Sequence, residues 1–112
     1  MLSQVYLKIR KNKNLTNMVK KIIDASASWC GPCRVFANTF KKVSEIEEYK
    51  DIEFKSVDIE NDEDADLLVA KYNIKSVPTI LLLDENDEII YKLMGNTSLK
   101  DFTDVINKAL EK

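Results

Sequence analysis

Between Ala27 and Phe36 the hydrophobic pattern changes period, and that switch constrains the fold more than any other feature of the chain. Before it, Ile22–Ala27 is a short apolar run, as expected of a strand buried on both faces. After it, Phe36, Phe40, Val43 and Ile46 recur at three- and four-residue steps, with Lys41, Lys42, Glu45 and Glu48 between them. The spacing predicts an amphipathic helix of about four turns. It opens near Pro32, which a first turn tolerates because the N–H that proline lacks would have no partner there. The junction reads Trp29-Cys30-Gly31-Pro32-Cys33. A chain that runs strand, tight turn and one-sided helix must lay that helix back on the sheet to bury its apolar stripe.

The remaining pattern extends this unit. Gln4–Arg10 alternates Val5, Leu7 and Ile9 with Tyr6, Lys8 and Arg10, the period of a half-buried strand. Leu15–Lys21 holds at most two helical turns, carrying Leu15, Met18 and Val19. Ile52–Ile59 is a further strand. Asn61 or Asp62 then caps a helix with Glu63 and Asp64 in its first turn and Ala65, Leu68 or Val69, and Tyr72 inward. Thr79–Leu83 and Ile89–Met94, separated by the polar Asp84–Glu88, form an antiparallel hairpin. Beyond Gly95–Thr97, the stripe Leu99, Phe102, Val105, Ile106, Ala109 and Leu110 marks a last helix, capped by Thr97 or Ser98. The order β-α-β-α-β-α-β-β-α predicts an α/β fold of three layers, a central mixed sheet flanked by helices. No repeat or linker interrupts it, so residues 1–112 read as a single domain.

Composition narrows the functional classes. In 112 residues there is no length for a second core of ordinary size. Seventeen basic residues against nineteen acidic argue against a nucleic-acid binder, whose cations would be in excess and clustered. No stretch approaches the roughly eighteen apolar residues of a membrane helix. The first residues lack the apolar block of a secretory signal, so the chain reads as cytoplasmic. It contains no histidine, which removes every mechanism that needs imidazole. The acidic run Asp58–Asp66 lacks the glycine and the terminal glutamate of a calcium loop and reads as a solvated turn leading into a helix.

Two cysteines remain, and their placement carries the chemistry. A cysteine at a helix N-terminus gains thiolate character from unpaired backbone N–H groups and the macrodipole, and the thiolate is the form that attacks disulfides. Cys30 has that position. Cys33, three residues on, is close enough to close a small disulfide ring, with Gly31 and Pro32 supplying a tight turn. A zinc half-site is one alternative, but no third cysteine or histidine completes it, so no metal is expected. Two inert buried thiols are another. A CxxC pair at a strand-to-helix turn in a βαβ frame instead reads as a redox pair.

The Trp-Cys-Gly-Pro-Cys segment, its amphipathic helix and Val77-Pro78-Thr79 about forty-five residues later resemble the thioredoxin family, with Gly95 reinforcing the match. The resemblance runs from about Ile22 to the C-terminus. It implies thiol–disulfide exchange, with protein disulfides as substrates, a flavoprotein thioredoxin reductase as electron donor, a monomer, and no cofactor beyond the Cys30–Cys33 pair. Cys30 is then the attacking thiol, exposed ahead of the helix, and Cys33 the more shielded resolving thiol. Asp24 matches the family's buried aspartate. A carboxyl in the run Ile22-Ile23-Asp24-Ala25 is costly to ionise and suited to accept the Cys33 proton. Pro78 matches the family's cis-proline, leaving the Val77 backbone to pair with an extended substrate segment. Trp29, Gly31, Pro32 and Gly95 complete the expected substrate-binding surface. The blander readings are a solvent-facing Asp24, a trans Pro78, a core Trp29 and a simple helix-entry turn at Gly95.

Several positions depart from the family pattern. Ala25 and Ser26 replace a Phe-Trp pair, Asn38 replaces a helix-kinking proline, Ser56 replaces a lysine that often neighbours the aspartate, and the helix before Tyr72 is about one turn longer. These bear on potential and partner choice rather than on the exchange chemistry. The Gly-Pro pair and Val77 resemble the reducing members, whose potential is on the order of −270 mV. An oxidant or disulfide isomerase, or a binding subunit indifferent to its redox state, are the competing functions.

Overall fold

A computed structural model describes residues 6–8 and 18–110. Strands β1 (Tyr6–Lys8), β2 (Lys21–Ser26), β3 (Glu53–Asp58), β4 (Thr79–Leu83) and β5 (Ile89–Met94) form one sheet in the order β1-β5-β4-β2-β3. β2 and β3 are parallel, and the other neighbours are antiparallel. A parallel pair needs a crossover, and helix α1 (Gly31–Ser44) supplies it. Helices α2 (Ala65–Tyr72) and α3 (Leu99–Leu110) complete the chain.

The period-two pattern of the central strands sorts their side chains between two cores. Ile22, Ile80, Leu82 and Leu93 face α1 and α3, where Phe36, Phe40, Val43, Phe102 and Ile106 close over them. Phe36 meets Phe102 edge-on with centroids 5.2 Å apart, and Phe40 meets Phe54 at 5.4 Å. Ile23, Ala25, Leu81 and Leu83 face the other way, under Ala65 and Tyr72 of α2. The mixed sheet with helices on both faces is the architecture the pattern predicts.

Three local expectations differ. Of the proposed Leu15–Lys21 helix, residues 15–17 lie outside the described residues, and Met18–Lys20 are not helical. Their backbone is already committed to the sheet: the Lys20 N–H donates to the Leu83 carbonyl at 2.8 Å, and the Glu53 N–H to the Lys20 carbonyl at 2.9 Å. Of Gln4–Arg10, only Tyr6–Lys8 lies within the described residues, as β1. Helix α1 stops at Ser44, and Ile46 is extended at φ −73°, ψ 129° while still packing on the core. Helix α2 starts at Ala65, later than a cap at Asn61 or Asp62 implies. The Asp58 carboxylate accepts from the Glu60 N–H (2.9 Å) and the Asn61 side chain (2.8 Å), and the Asp62 carboxylate accepts from the Asp58 N–H (2.8 Å). Those bonds wind residues 58–62 into a polar turn, so Asp64 rather than Asn61 or Asp62 precedes the helix. At α3, Ser98 is the cap: its hydroxyl accepts from the Asp101 N–H at 3.1 Å.

Candidate active site

Register alone gathers three segments at one end of the sheet. β2 ends at Ser26 and turns into α1, with the Cys30 N–H donating to the Ala27 carbonyl at 3.1 Å. Ala25 pairs with Thr79, which brings Val77 and Pro78 alongside that turn. Thr79 also pairs with Met94, and the Gly95 N–H donates to the Pro78 carbonyl at 2.9 Å. Gly95 has φ 92°, a backbone state that favours glycine. The Val77–Pro78 peptide is cis.

Cys30 is the N-cap of α1, with an extended backbone at φ −91°, ψ 113°. Its Sγ accepts the Cys33 N–H at 3.1 Å and is bonded to Cys33 Sγ, the two Cα atoms lying 5.2 Å apart. A helix amide aimed at this sulfur stabilises negative charge on it once the disulfide opens. Cys30 Sγ also lies 3.8 Å from the Val77 carbonyl oxygen, placing the pair against the backbone just before Pro78. The disulfide packs with Ala27, Ile59 and Val77.

Two expectations need correction here. Cys33 is shielded as expected at 3% exposed, but in the closed disulfide Cys30 is not exposed either, at 5%. Ala27, Ile59 and Val77 pack around both cysteines. Gly31 is not required by the turn: it has no positive φ, and a Cβ there would meet nothing within 4 Å. That open space lies beside the disulfide and leaves the backbone approachable. Pro32 is exposed, as is Trp29 at 63%, so Trp29 is not a core residue.

Asp24 is buried, and its Oδ1 has no hydrogen-bond partner. Burial pushes its carboxyl up to about 7 from the ordinary 3.8, because the charged form has lost its hydration. Strand alternation puts Asp24 on the face with Ile22, beneath α1, where Cys33 occupies the buried side of the first turn. Ile59 and Val35 were not singled out in the sequence. Ile59 follows β3, and its N–H donates to the Ser26 carbonyl at 2.9 Å, so the parallel β2–β3 pairing delivers it to the cysteines. Val35, 57% exposed, is the next large apolar residue after Cys33 on α1.

A family model described as Thioredoxin matches residues 7–108. A thioredoxin of Mycoplasma genitalium is 36% identical over 67 residues, which is 60% of this chain and 61% of that relative's length. Among solved structures, the reduced Schistosoma mansoni thioredoxin superposes with a TM-score of 0.65 at 32% identity, covering 84% of this chain and 82% of that one. A structure of a complex of ferredoxin:thioredoxin reductase with thioredoxin f2 gives 0.68 at 27% identity, covering 81% and 77%.

Proposed function

The chain belongs to the thioredoxin family, and from that membership we propose that it is a dithiol–disulfide oxidoreductase acting chiefly as a reductant of protein disulfides. The observation that carries this reading is the Cys30–Cys33 disulfide at the start of α1, with the Cys33 N–H on Cys30 Sγ. In the reduced protein Cys30 thiolate attacks a substrate disulfide, forming a mixed disulfide and releasing one substrate thiolate. Cys33 gives its proton to Asp24, attacks Cys30 Sγ, and releases the second substrate thiolate. Two electrons pass to the substrate, and the intramolecular disulfide closes.

Trp29, Gly31, Pro32, Val77, Pro78 and Gly95 form the docking surface in this reading. An extended substrate segment pairs with the Val77 backbone while Trp29 and Pro32 offer apolar area beside the sulfurs. A reductase returns the electrons. The solved complex of a thioredoxin with its ferredoxin-dependent reductase supports a protein donor in general, and a flavoprotein reductase is the donor proposed here. The redox group is the chain's own, and we place a monomer in the cytoplasm. Among the described residues no helix is long and apolar enough to cross a membrane.

A coupled insulin-reduction assay with the variant carrying both Cys30→Ser and Cys33→Ser tests the assignment. A reductant loses turnover to the uncatalysed background. A binding subunit keeps its physiological function without either sulfur. A measured potential near about −120 mV, the value of a strong oxidant, would reverse the direction of electron flow.

A further inference from the structure

Asp24 has two lateral neighbours in the sheet, and they differ sharply. On one side it pairs with Ile80 of β4, which is completely buried. On the other it pairs with Ser56 of β3, which is exposed because β3 is an edge strand. Parallel register puts Ser56 on the same face as Asp24, just as it puts Phe54 beside Ile22. Along β2 the neighbours on that face are Ile22, buried, and Ser26, half-buried. From above, α1 lays its buried Cys33 and Phe36 over the face. The charged groups on these elements do not reach in: Arg34 donates to the Ser28 carbonyl at 3.0 Å, Lys55 points to the opposite face, and the Asp58 carboxylate accepts from Glu60 and Asn61. Asp24 therefore sits buried among mainly apolar groups, and its lateral neighbour on the edge strand is a solvent-exposed serine.

We propose that Ser56 is the residue through which the proton that Asp24 takes from Cys33 passes to solvent. The proposal rests on Asp24 acting as the proton acceptor described above. The Cys33 S–H bond breaks and an Asp24 O–H bond forms. That O–H then breaks as the Ser56 hydroxyl, through one intervening water, accepts the proton and releases one to bulk solvent. No electrons move in this step. Ser56 touches neither sulfur and is a positioning residue: a small hydroxyl side chain at the sheet edge keeps the buried carboxyl in exchange with water, where an apolar side chain would seal it.

The discriminating pair is Ser56→Val and Ser56→Thr, which have nearly the same shape and differ in the hydroxyl. Both suit an exposed edge strand, so folding is retained. The rate at which Cys33 resolves a preformed mixed disulfide on Cys30 is followed against pH, with the initial attack rate as the internal control. Ser56→Val should move the midpoint of the resolution profile upward by about one pH unit through added desolvation, leaving attack unchanged. From a midpoint of about 7, that lowers the ionised fraction at neutrality from about a half to about a tenth, a resolution rate about fivefold slower. Ser56→Thr should keep the parent profile, and Ser56→Val should add nothing in an Asp24→Asn background. Equal profiles for the Val and Thr variants overturn the proposal, as does Ser26→Val moving the profile where Ser56→Val does not. If Asp24→Asn itself leaves resolution unchanged, the proton-acceptor reading falls and this proposal with it. If Asp24→Asn slows resolution and Ser56→Val does not, only the role of Ser56 is lost.

Discussion

Cys33→Ser is expected to turn this protein from a carrier into a trap. Cys30 keeps its helix-terminal position and the backbone N–H of residue 33, so the attack on a substrate disulfide should stay within a few-fold of the parent rate. Resolution is lost because it depends on a second thiol held by the first turn of α1, with Cα atoms 5.2 Å apart. Effective concentrations of well-oriented intramolecular pairs reach about 10⁵ M, so a millimolar external thiol is a far weaker substitute for Cys33. Multiple-turnover reduction should fall by at least ~10³-fold, while one equivalent of substrate accumulates as a mixed disulfide on Cys30. Mass spectrometry without reductant reads the adduct directly. A variant that still turns over, or that traps substrate on a residue other than Cys30, contradicts the assignment of roles.

The second large effect concerns stability. The Asp24 carboxyl titrates at about 7 in the fold and near 3.8 when unfolded. Between those values the native state holds a proton that the unfolded state has lost, so stability falls as pH rises. The contribution is fully present below about 3.8 and gone above about 7. At 1.36 kcal/mol per pH unit the interval amounts to ~4 kcal/mol as an upper bound. Asp24→Asn removes the titration. A buried amide short of partners offsets part of the gain, by about 1–3 kcal/mol. Urea unfolding should therefore show the variant more stable than the parent by about 2 kcal/mol at pH 8, with the advantage absent at pH 4. An advantage that does not change with pH would mean that Asp24 is not a buried titrating group. Losing both stability cost and proton acceptor together is the trade expected where a fold keeps a costly buried charge for its chemistry.

The sheet and its helices were legible because their signals are redundant. β4 is a continuous buried run and β5 an apolar strand interrupted only by Lys92, both bounded by polar turns, and α3 carries an uninterrupted stripe from Leu99 to Leu110. Asp24 was legible for a similar reason: a carboxyl inside an apolar run is conspicuous, and its raised titration follows from desolvation alone. What escaped the sequence depends on partners that the local hydrophobic pattern does not name. Nothing in Met18–Lys20 announces that Lys20 bonds to Leu83 and Glu53, which is why a short helix was expected there. The acidic run promised a helix cap, but side chains at Asp58 and Asp62 satisfied nearby amides in a turn before a helix could use them. Ile59 carries no local mark of a site residue; only the parallel pairing of β2 with β3 brings it to the disulfide. The burial of Cys30 likewise depends on Val77, forty-seven residues away in the chain.

The central claim is that α1 activates one sulfur of the pair. The most direct measurement is the rate of iodoacetamide alkylation of each cysteine in the reduced protein as a function of pH, resolved by mass spectrometry. With a helix amide aimed at its Sγ, Cys30 should label first, with a midpoint within the range of about 3.5–7.5 that helix N-termini and similar electropositive sites produce. A Cys30 midpoint at or above about 8.5, the value of a free cysteine, with Cys33 labelling as fast, would contradict the account.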